Sequence, residues 1–116
     1  MHRFKDIEVW KQSRLFCTDI YTVTSSFPES EKFGLSNPLR RAAVSVPCNI
    51  AEGASRSSNK DFSRFLEIAI GSANEIETQL LIASDLGFIN LNYLEPLLIK
   101  LDAIVKMTSR LRSTLS

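Results

Sequence analysis

From Phe62 to Ala83 the apolar side chains return in alternating steps of four and three, at Phe62, Leu66, Ala69, Ala73, Ile76, Leu80 and Ala83. A helix of 3.6 residues per turn puts that spacing on one face, and a stripe this long must be buried against other helices. Ser58, with Asp61 three residues on, reads as the N-terminal cap, and Gly87, just past the last apolar position, as the stop. The spacing predicts a helix over about 59–86.

The same stepping recurs at Leu97, Leu101, Ile104, Thr108, Leu111 and Leu115, preceded by Asn92 and Glu95 at capping-box spacing, with Pro96 where a first turn tolerates it. This predicts a helix over 92–114. Near the N-terminus Val9, Ser13, Phe16, Ile20 and Val23 trace one stripe, with Trp10, Cys17, Tyr21 and Thr24 beside it. They predict a helix over 5–25 that ends before Phe27-Pro28, because a residue preceding proline is pushed out of the α region. Asn37-Pro38 reads as the N-cap and first residue of a helix over 37–54, whose Leu39, Ala43, Val46 and Ile50 face the core. Pro47 removes a backbone donor inside it and predicts a kink or a local break. Gly71 costs about 1 kcal/mol relative to Ala in a helix interior, and with Ala69, Ser72 and Ala73 it leaves room for another helix to approach.

Four helices with short connections predict an all-α fold, an antiparallel up-down-up-down four-helix bundle in which residues 1–116 form a single domain. Four Gly and four Pro are too few for the turns of a β sandwich, and 44% hydrophobic residues suffice for one core.

A formal net charge of +1 exerts no general pull on nucleic acid or an anionic membrane. Its distribution is uneven: residues 1–60 carry nine Lys/Arg against six Asp/Glu, and residues 61–116 five against seven. The helix over 59–86 is therefore expected to be acidic, and the end of the last helix, with Lys106, Arg110 and Arg112, basic. No apolar run approaches the roughly 18 residues that span a bilayer, and no charged leader precedes an apolar stretch, so the expected location is the cytoplasm with no membrane partner. There Cys17 and Cys48 are expected as two buried thiols rather than a disulfide.

Catalytic chemistry has little to build on. His2 is the single histidine, at a terminus expected to fray, which leaves no nucleophile–His pair and no multi-His metal site. Gly34, Gly53, Gly71 and Gly87 are isolated and form no phosphate loop, and Glu75, Glu77 and Asp85 lack the Glu-x-x-His element of di-iron bundles. The expectation is no catalytic residue, no cofactor and no metal. Two polar patterns stand out. Ser45, Asn49, Glu52 and Arg56 recur at steps of four, three and four along one side of the 37–54 helix, either as a solvated face or as hydrogen bonding across a helix or subunit interface. Arg40 and Arg41 lie at that helix's start, where positive charge opposes the macrodipole and points to a partner, a carboxylate of the acidic helix or a phosphate. Lys11 with Arg14 on the first helix, and Lys60 with Arg64 at the entry to the third, complete six candidate phosphate contacts for which plain solvation is the competing reading.

Phe27-Pro28-Glu29-Ser30-Glu31, Gly34-Leu35, the run from Arg40 to Pro47 and Asn49-Ile50-Ala51-Glu52-Gly53 together resemble the four-helix-bundle proteins encoded within intervening sequences of bacterial large-subunit ribosomal RNA genes. Phe4-Lys5-Asp6 with Val9-Trp10-Lys11, and Phe62, Phe65-Leu66, Ala69 and Gly71-Ser72, extend the resemblance to nearly the whole chain. It implies a cyclic homo-oligomer, a pentamer, with no known catalytic activity. The family is similar to the accessory protein of diversity-generating retroelements, a pentameric barrel that binds nucleic acid and a reverse transcriptase through basic surface residues. The leading expectation is thus a non-enzymatic oligomer that binds RNA or DNA. A protein-binding scaffold presenting the acidic third helix or the basic end of the fourth is the alternative, and an uncharacterised enzyme the third.

Overall fold

The computed structural model describes residues 2–116. After a 3-10 turn at Phe4–Asp6, the chain forms α1 (Glu8–Thr24), a 3-10 turn (Glu29–Glu31) and a π-helical turn (Lys32–Ser36) that runs into α2 (Asn37–Ala54), then α3 (Asn59–Asp85) and α4 (Leu91–Ser113). All seven stripe residues of α3 are buried, and so are Val9, Phe16 and Ile20 of α1, Leu39, Val46 and Ile50 of α2, and Leu97, Leu101 and Ile104 of α4. The ends of α3 are closed by local chemistry. Ser58 Oγ accepts from the Asp61 N–H at 3.1 Å. At the other end Gly87 takes φ +80°, and the N–H groups of Phe88 and Gly87 donate to the Ala83 and Ser84 carbonyls at 2.9 and 3.0 Å. That crossed pair satisfies two carbonyls a helix end otherwise leaves open.

Contacts between helices fix their directions. Along α1 and α2, His2 N–H meets the Ala54 carbonyl at 2.9 Å, Cys17 meets Ala43, and Arg40 meets Thr24, so the two run antiparallel. Gly53 packs on Phe62 and Phe65, and Ser45 on Ser72, which reverses α3 against α2. Arg112 reaches Ser63 and Glu67, and Lys100 reaches Asp19, which places α4 antiparallel to both α3 and α1. The result is up-down-up-down, 44 × 23 × 19 Å in extent.

Several sequence expectations need correction. The first helix begins at Glu8, not near residue 5, because Ile7 is extended after the 3-10 turn. Asn37 is no N-cap: the π turn already supplies helical backbone ahead of it, and its N–H donates to the Lys32 carbonyl. The last helix is capped by Asn90, whose Oδ1 accepts from the Tyr93 N–H at 3.3 Å, rather than by an Asn92–Glu95 box. His2 is tied down by its backbone bond and by its ring, 5.1 Å from that of Phe62. Cys17 is half-buried and Cys48 exposed, both free.

Pro47 does not break α2. Its missing N–H would have donated to the carbonyl of Ala43, four residues back. The Cys17 thiol reaches that carbonyl from α1 at 3.3 Å, with the Ser13 carbonyl as a second acceptor at 3.4 Å. Burial, with a smaller contribution from nearby Cys48, pushes the Cys17 thiol up to about 11, so it stays protonated and able to donate through the neutral range. A side chain of one helix thus replaces a backbone donor lost from the next. Cys17→Ala should cost about 1–3 kcal/mol in the native background, the cost of an orphaned part-buried carbonyl together with lost packing. In a Pro47→Ala background, where the backbone donor is restored, the same change should cost measurably less. Denaturant melts of the four proteins give the coupling, and additive effects would refute the substitution of thiol for amide.

Candidate functional site

The antiparallel topology sorts charge along the bundle axis. One end gathers the start of α1, the end of α2, the start of α3 and the end of α4, that is residues 2–15, 47–71 and 103–116. This half carries ten Lys/Arg and five Asp/Glu, a balance of +5. The other half, residues 16–46 and 72–102, carries four Lys/Arg and eight Asp/Glu, a balance of −4. A near-neutral chain therefore folds into a charge-separated rod.

The six candidate cations divide between the ends. Lys11, Arg14, Lys60 and Arg64 lie in the basic half and are exposed. None takes part in an ion pair among the described residues, where the cations that do are Arg3, Arg56, Lys100, Lys106 and Arg112. Aromatic faces hold two of the guanidiniums in place: Arg14 lies 5.6 Å from the Trp10 ring centroid and Arg64 5.7 Å from that of Phe65, which Arg56 also covers at 4.8 Å. A groove of about 560 Å³ opens between the start of α3 and the end of α4, with Lys60 and Arg64 on its wall beside Ser63 and Glu67. Glu67 is occupied by Arg112, whose Nε also donates to Ser63 Oγ at 3.0 Å, so of the two acids lining that groove, Asp61 and Glu67, the second is neutralised from within.

Arg40 and Arg41 lie in the acidic half, about 20 Å along the axis from Lys60 at 1.5 Å per helical residue. Arg40 is spent inside the fold. Its Nε donates to Thr24 Oγ1 at 2.8 Å, Nη2 reaches the Tyr21 carbonyl at 3.4 Å, and the guanidinium lies 4.6 Å from the Tyr21 ring centroid. The partner anticipated as a carboxylate or a phosphate is the C-terminal end of α1, the negative pole of its dipole. Arg41 is exposed and stays outside any ion pair among the described residues.

The polar stripe of α2 has two different parts. Ser45 Oγ and Ser72 Oγ are 2.8 Å apart, and Asn49 Nδ2 donates to the Ser45 hydroxyl and carbonyl at 2.9 and 2.8 Å, a half-buried network joining α2 to α3. Glu52 and Arg56 form an exposed pair at 3.5 Å. The first part of the stripe thus bonds across a helix interface and the second faces solvent. Among the described residues no His/Cys/Asp/Glu group could hold a metal ion, and no helix is long and apolar enough to cross a membrane.

Residues 5–110 match the family model described as 23S rRNA-intervening sequence protein. No curated protein matches the chain.

The two neighbouring arginines should separate cleanly on thermal denaturation. Arg40→Ala removes a half-buried guanidinium from a hydroxyl, a helix terminus and a ring, and should cost about 1–2 kcal/mol. Arg41→Ala should stay within about 0.5 kcal/mol, as an exposed substitution without partners. Equal effects of the two would contradict the assignment of Arg40 to the fold.

Proposed function

Because the chain belongs to the 23S rRNA-intervening sequence protein family, by a match over residues 5–110, we propose that it is a non-enzymatic bundle that assembles into a cyclic homo-oligomer of five copies and binds RNA or DNA through its basic end. The observation that carries this reading is the segregation of charge. The net charge of +1 offers a polyanion nothing, but the end with a balance of +5 presents Lys11, Arg14, Lys60 and Arg64 outside any ion pair among the described residues. Neutralising phosphates with such groups releases condensed counterions and drives association. Arg40 drops out of the contact set, and Arg41 stands apart at the opposite end.

A ring strengthens the case. Cyclic symmetry puts equivalent residues of every copy at one height along the axis, so one rim of a pentamer repeats the basic end five times and gains avidity. Gly71 supports a contact between copies. Its neighbours Ala69 and Ala73 are consumed inside the bundle and Ser72 bonds Ser45, but a Cβ on Gly71 would meet nothing within 4 Å. A glycine that costs helix stability without serving its own bundle is consistent with close approach from outside. Exposed Ile68 and Ile82 share its outward stripe of α3.

Binding of fluorescent single-stranded RNA and double-stranded DNA, followed by anisotropy from about 50 to 200 mM salt, tests the reading. Affinity should fall linearly on logarithmic axes with a slope of about −0.7 to −0.9 per phosphate contacted. The double variant Lys60→Ala/Arg64→Ala should flatten that slope and weaken binding at least about tenfold, while light scattering still returns five times the 13.0 kDa chain mass. No binding by the intact oligomer, or a slope unchanged in the variant, would exclude the basic end as the nucleic-acid surface.

A further inference from the structure

At the opposite end two connections meet. The segment between α1 and α2 and the turn between α3 and α4 are joined through Phe27 and Phe88, whose ring centroids are 6.0 Å apart. With the start of α4 they leave Phe33 80%, Leu86 56%, Leu91 62% and Tyr93 65% exposed. Eleven large hydrophobic residues are exposed among the described residues, and these four gather at this end, whereas Ile68 and Ile82 lie on the outward stripe of α3 and Tyr21 under Arg40. Single exposed apolar side chains are ordinary, but an accumulation at one end of a molecule marks an interaction surface.

The backbone beneath Phe33 is ordered by hydrogen bonds rather than slack. Glu31 N–H donates to the Pro28 carbonyl at 2.8 Å, and the π turn closes from Asn37 N–H to the Lys32 carbonyl. Four carboxylates, Glu29, Glu31, Asp85 and Glu95, belong to the same end, and none is in an ion pair among the described residues. Beside Tyr93 a groove of about 510 Å³ runs between α1 and α4, lined in part by Val23, Pro96 and Leu97.

We propose that this end is a docking surface for a protein partner that presents a cationic amphipathic segment, its apolar side chains set against Phe33, Leu91 and Tyr93 and its Lys or Arg residues against the four carboxylates. Charge selects the occupant. The four unpaired carboxylates outnumber the exposed cations of this end, Lys32 over the Phe33 ring and Arg41, and so disfavour a nucleic-acid backbone. The basic end of a second copy supplies cations but offers only Leu15 and Ile68 as exposed large apolar residues, too few to cover four. A cationic amphipathic helix supplies both kinds of contact, and laying an apolar face into a groove is an established mode of recognition.

The probe is a labelled synthetic helix of Leu and Lys at amphipathic spacing, about four turns long, titrated against the full chain by anisotropy at physiological salt. Phe33→Ser with Leu91→Ser should weaken binding about tenfold or more, as loss of central apolar anchors does. Glu29→Gln with Glu95→Gln should weaken it and reduce its salt dependence. Oligolysine of equal charge should bind about tenfold more weakly than the amphipathic probe, for want of apolar contact. Lys60→Ala with Arg64→Ala should leave probe binding within about twofold, since those charges lie beyond a Debye length. Unchanged binding by the Phe33/Leu91 variant, or loss of binding in the Lys60/Arg64 variant, would overturn the proposal. So would a fall in the light-scattering mass of the Phe33/Leu91 variant, which would give the surface to a second copy. Because the two ends are probed by different ligands and different substitutions, failure here leaves the nucleic-acid reading standing, and the converse holds.

Discussion

The arrangement depends on how near α2 and α3 come to each other at Gly53. A Cβ placed there would lie 2.8 Å from Phe65 Cβ and 2.9 Å from Phe62 Cδ1, closer than carbon atoms approach without something shifting. Only four residues separate α2 from α3, so the two helices must turn back at once, and the glycine lets the returning helix press directly on the departing one. This contact fixes the register of the pair. One network, Ser45–Asn49–Ser72, then falls at the mid-level of the bundle, and the phenylalanines at the start of α3 close the core beneath Ala54 and His2. Replacing Pro47 N–H by the Cys17 thiol extends the same economy to the other side of α2, which packs on α1 through a bond its own backbone cannot make.

Register and direction decide where the charges go. In the linear chain, acids and bases alternate in blocks, and the net charge is close to nothing. Reversal at each turn stacks the basic blocks of the first and last helices over the basic entry to α3 and sends the acidic half of α3 to the other end. The two ends matter separately because the rod is 44 Å long, several times the Debye length of about 8 Å at physiological ionic strength. A ligand at one end is screened from the other. The whole-molecule charge is then a poor guide to the field at either end, and the two proposed partners belong to ends of opposite character.

Much of the fold was legible in the residues. The stripe from Phe62 to Ala83, the Ser58 cap and the Gly87 stop each state local geometry directly, and α3 follows them. What misled were features whose local reading depends on what precedes or surrounds them. Asn37-Pro38 looks like a helix start, but the π turn ahead of it already carries helical backbone. Pro47 looks like a break because the thiol that compensates for it lies 30 residues away in sequence and touches only after folding. Arg40 and Arg41 are neighbours in sequence, yet one is bound to the end of α1 and the other faces solvent, a difference set by helix phase and not by residue type. The charge-separated ends follow from the antiparallel topology already expected from the residues, but not from a count of charge along the linear chain. A division of the chain at residue 60 cuts across both of them, and only the antiparallel pairing of helices shows which blocks belong together.

The central claim, that the basic end alone meets nucleic acid, is tested most directly by residue-resolved footprinting of lysine amines. The oligomer would be modified with an amine-reactive reagent with and without single-stranded RNA, and the extent at each lysine read by mass spectrometry. Lys11 and Lys60, in the basic half, should be protected by RNA, whereas Lys32 in the acidic half should react as it does in the free protein. Protection of Lys32, or equal reactivity of Lys11 and Lys60 with and without bound RNA, would contradict the account.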